Sequence, residues 1–187
     1  MKEISSALMQ EHQLILKTNQ LINKCAALCQ TEKSQFPILD IGEQFIDFVR
    51  FFADRFHHAK EEEILFKFLG KDGVLQHCNP IPQMLHEHEL GRTLVRRMED
   101  AIQAKDKEEL IEAMRSYISL LSDHIYKEDN ILYPMAENSL SDAEKSAICE
   151  EYELTEQRMN ASEIWTKYER FYLKLEERFQ AAQNQAG

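Results

Sequence analysis

Residues that form turns are scarce, with 5 Gly and 4 Pro in 187 residues. A β-sandwich or barrel needs a turn signal about every 8–12 residues, so those architectures are excluded and long helices are expected. No apolar run approaches the ~18 residues that would span a bilayer. Basic residues are also in deficit, 22 Lys and Arg against 33 Asp and Glu, for a net charge of −11. That balance argues against binding the phosphates of DNA or RNA. The four cysteines, Cys25, Cys29, Cys78 and Cys149, form no CxxC or Cys/His zinc spacing and read as reduced thiols. The opening MKEISSALMQEHQ carries Glu and Gln where a secretory leader needs an apolar run, so a cytoplasmic protein is expected. There is no Ser/His/Asp or Cys/His arrangement and no glycine-rich phosphate loop.

What is present divides into helical segments. Apolar periodicity predicts helices over 4–31, 41–69, 82–104 and 108–133, with 32–40 and 70–82 as loops. Pro134 is expected to disturb or end the fourth. Ser141-Asp142-Ala143-Glu144 reads as a capping box opening a fifth helix to Met159. Ser162 opens a sixth over 163–182. The fold expected is all-α: an antiparallel up-down-up-down four-helix bundle with two additional C-terminal helices. It is read as a single domain over 1–187, with the bundle at about 4–136 and the extension at about 141–184.

The chain contains a duplication. His57-His58-Ala59-Lys60-Glu61-Glu62-Glu63-Ile64-Leu65-Phe66 and His124-Ile125-Tyr126-Lys127-Glu128-Asp129-Asn130-Ile131-Leu132-Tyr133 both read H-x-x-K-E-x-x-I-L-aromatic. Upstream, Glu11-His12-Gln13-Leu14 matches Glu87-His88-Glu89-Leu90. A helical hairpin, E-H-x-L followed by H-x3-E, is used twice.

Residues four apart on a helix lie about 6 Å apart on one face. His57 with Glu61, and His124 with Glu128, can each offer an imidazole and a carboxylate to one point. His12 shares the stripe of Leu8 and Ile15, His88 that of Leu85, Val95 and Met98, while His124 and Glu128 flank Leu121. Buried charges must be paired or coordinated, and the phase of Lys60 and Lys127 points them elsewhere. His58 with Glu62 competes at the same spacing, but only His57 with Glu61 keeps register with the second copy. Asp129 competes with Glu128. His86 and His58, turned about 200° and 100° from the candidate faces, are expected to be solvated or to act from outside the centre.

Four His and two carboxylates from four helices exceed one tetrahedral zinc and suit two metal ions of intermediate hardness, with positions left for water or a bridging oxygen. Iron is the expected metal, manganese the next, and zinc a further occupant.

The strings HHAKEEEILF, MLHEHELGR and DHIYKEDNILYP resemble the signatures of the hemerythrin-like, or HHE cation-binding, family. The resemblance covers 6–133, and the tail helices are similar to an extension that many bacterial members carry. It implies a four-helix bundle around a non-haem di-iron centre, oxo- or hydroxo-bridged. The ligands carried over by position are His12, His57, Glu61, His88, His124 and Glu128. Members bind oxygen or nitric oxide, store or sense iron, or repair iron–sulfur clusters. Met84 stands where oxygen-carrying hemerythrins have a further His, one turn before His88. Their five-residue His-to-carboxylate spacing would select Asp129 rather than Glu128. Lys67 stands where Pro is common.

The leading expectation is a di-iron protein taking O2, NO or peroxide for sensing, storage or stress response. A di-iron enzyme, repairing iron–sulfur clusters or reducing peroxide or NO, uses the same ligands. A third reading keeps the fold as an interaction module. Substrate turnover separates the first two, and metal content tests the third.

Overall fold

The computed structural model describes residues 3–30, 36–75 and 78–186. Six helical rods account for nearly all of them. α1 is Ser6–Cys29. α2 runs without a break over 38–69, and α3 is Ile81–Ala104. α4 is continuous over 107–139. α5 is Asp142–Arg158 and α6 is Ala161–Ala186. α1 packs against α2 and α4, and α3 against the same two, which is the square of an up-down-up-down bundle. No strand occurs among the described residues.

Two boundaries of the bundle helices differ in ways that the packing explains. α2 begins at Ile38, not residue 41, because Ile38 and Ile41 are both buried and one more turn adds apolar contact. The expected end of α1 at Thr31 lies outside the described residues. α4 runs through Pro134 to Ser139. Proline lacks an N–H and crowds the preceding turn, and that turn, Glu128–Leu132, is widened to π-helical pairing, so the rod is disturbed but not ended. The capping box at Ser141 forms as expected, with Ser141 and Glu144 satisfying each other's backbone N–H groups.

Two apolar clusters fill the interior. The larger holds Phe45, Phe48, Phe52, Met98, Met114 and Tyr117. The smaller, toward the other end, holds Leu8, Leu65, Phe66, Met84, Leu132 and Tyr133. Each bundle helix crosses from one cluster to the other, and the polar residues of the repeat lie at the crossing. On α1, for example, His12 sits between Leu8 and Ile15. The C-terminal helices brace this arrangement from outside. Trp165, Tyr168 and Phe171 of α6 meet the rings of Phe48 and Phe52. α5 adds Ile148 and Tyr152 to the smaller cluster. Met84, rather than the expected Leu85, faces inward on α3, and Leu85 is 41% exposed.

Candidate metal centre

The six residues expected from the repeat converge. His12, His57, Glu61, His88, His124 and Glu128 are all buried, none more than 2% exposed. Nε2 of His12 and His57 are 2.9 Å apart, and Nε2 of His88 and His124 are 3.0 Å apart. The two carboxylates span these pairs. Glu128 reaches His12 Nε2 at 3.3 Å with one oxygen and His124 Nε2 at 3.0 Å with the other. Glu61 Oε2 lies 3.7 Å from His57 Nε2 and 3.5 Å from His88 Nε2.

A ring of outer carboxylates fixes the imidazoles. Nδ1 of His12 meets Asp129 at 2.7 Å, and Nδ1 of His57 meets Glu11 at 2.8 Å. Nδ1 of His88 meets Glu62 at 2.7 Å, and Nδ1 of His124 meets Glu87 at 2.8 Å. A carboxylate at Nδ1 holds the N–H there and turns the Nε2 lone pair inward, the arrangement that orients metal-binding histidines. Asp129 therefore supports His12, and Glu128 is the carboxylate that faces the centre. The outer carboxylates keep fixed places in the repeat: Glu11 and Glu87 precede a His, while Glu62 and Asp129 follow a candidate ligand.

Lys60 and Lys127 do not point away. Lys60 is fully buried and donates to Glu11, and to Glu156 of α5 at 3.1 Å. Lys127 donates to Glu87. Each lysine neutralises the carboxylate that holds a His of its own helix.

His58 is the second correction. It is 6% exposed, with its ring stacked on His88 at a centroid separation of 3.7 Å. Nδ1 contacts Asp54 at 3.3 Å, and the buried Nε2 makes no hydrogen bond among the described residues. π-Helical pairing over Val49–His58 and Glu61–Leu65 explains this placement. Bonding from i to i+5 puts more residues in each turn, so neighbouring side chains diverge less than in an α-helix. His57 and His58 can then both face inward. His86 remains exposed, as its phase predicts.

Two groups of donors result. His12, His57, Glu61 and Glu128 form one, and His58, Glu61, His88 and His124 the other; in each, the donor atoms lie within 4.8 Å of one another. Glu61 belongs to both.

These donors fit a cation. Glu61 Oε2, both oxygens of Glu128 and His58 Nε2 are buried and form no hydrogen bond among the described residues. With Nδ1–H held by a carboxylate, facing Nε2 lone pairs at 2.9 Å repel unless a proton or metal ion lies between them. Protons stand in when metal is absent. Burial alone would depress His12, but the hydrogen bond to Asp129 and the contact with Glu128 outweigh it and raise His12 to about 9. Burial and the neighbouring Glu128 push Glu61 well above the carboxylate range. Burial acts on Glu128 in the same sense, yet the charge of His124 and the contact with His12 hold it well below that range. Burial pushes His57 well down and His58 to about 3, so both rings stand neutral and free to coordinate. Tyr133, raised far by burial, stays protonated and donates to Glu61 Oε1 at 2.7 Å.

A sequence model of the hemerythrin HHE cation binding domain matches residues 3–136, which span all four bundle helices and every donor above. The chain belongs to that family. No curated protein and no solved structure gave a match. As a hemerythrin HHE domain the chain is a helical bundle with a cation-binding interior, and its buried His/Glu groups suit that role. α5 and α6 lie beyond the matched region, yet Glu156 of α5 reaches the outer ring through Lys60. Among the described residues no helix is long and apolar enough to cross a membrane.

Proposed function

We propose that this hemerythrin HHE domain binds two iron ions and receives a small molecule, O2, NO or peroxide, at the centre they form. The ligands are His12, His57, Glu61, His88, His124 and Glu128, joined by His58. The observation that carries the reading is the set of inward Nε2 atoms, four of them fixed by close carboxylates behind, facing two carboxylates with unbonded oxygens. Five imidazoles and two carboxylates suit iron, with manganese next and zinc a competing occupant. Iron there supplies electrons and open coordination positions. The chain orients the imidazoles, buries the site between two apolar clusters, and holds a proton on Tyr133 beside Glu61. A reducing cytoplasmic setting accords with Cys25, Cys29 and Cys78, which form no disulfide.

An enzymatic variant, reduction of peroxide or NO, is favoured by one contact. The Tyr133 hydroxyl, 2.7 Å from Glu61 and 3.4 Å from His12 Nε2, places an O–H hydrogen-bond donor at the edge of the centre.

Anaerobic titration with ferrous iron tests the reading, with saturation near two equivalents expected. Saturation at one equivalent or fewer overturns it. Multiple turnover with peroxide or NO and an added reductant separates the enzyme from the binding protein.

A further inference from the structure

Aligned on the duplication, the two halves of the centre match closely. Glu11 answers Glu87, His12 answers His88, His57 answers His124, Lys60 answers Lys127, Glu61 answers Glu128 and Glu62 answers Asp129. Four of the differences line one cavity. His58 stands where the other half has Ile125, Gly91 where it has Ile15, Arg92 where it has Leu16, and Asp54 where it has Leu121.

That cavity, of about 280 Å³, lies between α2, α3 and α4. Its walls include Val49, Val95, Tyr117 and Leu121, and the rings of His58, His88 and His124 also line it. A Cβ at Gly91 would sit in ordinary contact, 3.5 Å from the Tyr117 ring, so the absence of a longer side chain there leaves the space unfilled. In the other half the corresponding Ile15 and Ile125 are buried in the packed interior. The duplication therefore supplies the same scaffold twice and opens it to a cavity where glycine replaces isoleucine.

The lining also bears on what fits. Its arginines are already engaged: Arg92 with Asp54 and Glu62, Arg50 with Glu99, and Arg96 with Glu89. Each guanidinium is thus matched by a carboxylate, and Asp54 and Glu87 also line the space, so an anion meets no unbalanced positive charge there, only apolar walls and imidazole rings beside paired charges. A cavity of roughly 150 Å³ with apolar walls is enough to take up benzene or xenon, so this one holds more than a diatomic.

We propose that the Gly91 cavity is the holding site and way in for a neutral, weakly polar molecule, which meets the centre on its His58–His88–His124 face. This rests on reading the centre as one that receives a small molecule, and it adds the face and the chemical class. Arg92, on the cavity lining, ties together Asp54, which contacts His58, and Glu62, which holds His88.

The test uses the full chain, iron-loaded, with xenon, azide and NO as probes and the series Gly91→Ala, Gly91→Val and Gly91→Ile. Xenon is expected to shift the methyl resonances of Val49, Val95 and Leu121 in the unmodified chain, and azide to leave them unmoved. Across the series xenon binding falls stepwise, and the NO association rate falls at least tenfold by isoleucine while iron content stays at the unmodified level. Should Gly91→Ile fold poorly, Val95→Phe fills the same space from another position and is expected to act alike. Equal xenon binding in unmodified and filled variants, azide in the cavity, or an unchanged NO rate in an iron-replete filled variant overturns the proposal. Failure of the unmodified chain to take iron instead overturns the two-metal reading, and shows in metal analysis independently of xenon.

Discussion

The ammonium of Lys60, with no exposed surface, lies against the carboxylate of Glu11, whose other oxygen holds His57 Nδ1. The same chain of contacts recurs as Lys127, Glu87 and His124, with Lys127 one-third exposed. Burial pushes Glu11 up to about 7 even with Lys60 beside it, so the carboxylate depends on that cation to stay charged. Lys60→Met should therefore protonate Glu11 and loosen His57. Removing one partner of a buried pair costs about 3–5 kcal/mol, and loss of an outer-layer contact weakens metal binding about 10–100-fold. Lys127→Met should be milder, because water can reach Glu87. Thermal melts and chelator competition on the two variants check the order.

His58 and His86 should separate cleanly. His58→Ala removes a buried donor at the three-histidine group and should weaken uptake of one of the two metal equivalents by at least tenfold, whereas His86→Ala should match the unmodified chain. Isothermal titration with ferrous iron reads both. Full uptake by His58→Ala would return His58 to a packing role.

Glu128 and Asp129 are adjacent but do different work. Glu128 is fully buried, facing both histidine pairs, and Asp129 lies behind His12. Glu128→Gln should abolish binding of at least one ion. Asp129→Asn should keep stoichiometry and lose about 10–100-fold in affinity. The reverse pattern in metal analysis would exchange their roles.

Metal binding should release protons. His12 is raised to about 9 in the metal-free protein, so at neutral pH it holds a proton that a metal must displace. Apparent affinity should climb about tenfold per pH unit for that proton and level off above pH 9 or so. The sign for the metal-free fold is opposite: a raised histidine stabilises fully below its unfolded value near 6.5, and that contribution disappears as pH rises through about 9. Proton release measured in two buffers of different ionisation enthalpy, with melts of metal-free protein from pH 6 to 10, checks both.

Removing metal should lower the melting temperature. A ligand at 100 times its Kd adds about 2.7 kcal/mol, and for a chain of this size each kcal/mol is worth about 2–4 °C. A difference of about 5 °C or more between metal-loaded and chelator-treated protein is expected, and equal melts would mean that the interior is satisfied by protons alone.

The bundle was legible in the sequence because helical periodicity, scarce turn residues and a capping box are local signals, and the local rule agrees with the tertiary answer. The six converging donors were legible because a duplicated H-x3-E at one-turn spacing points two side chains one way whatever the helix packs against. Glu11, Glu62, Glu87 and Asp129 carried a signal too, their fixed places in both copies, but which His each one holds depends on how the four helices are brought together. His58 and Lys60 could not be placed from phase counted at 3.6 residues per turn, since the widened turns of α2 shift that phase. Pairing from i to i+5 appears only once the helix is packed. The inward phase of the repeat's His and Glu side chains pointed to a cation in the interior. Only the tertiary structure decided that the differences between the halves open a space, because Gly91 and Ile15 hold the same register and only packing across α2, α3 and α4 leaves room beside one of them.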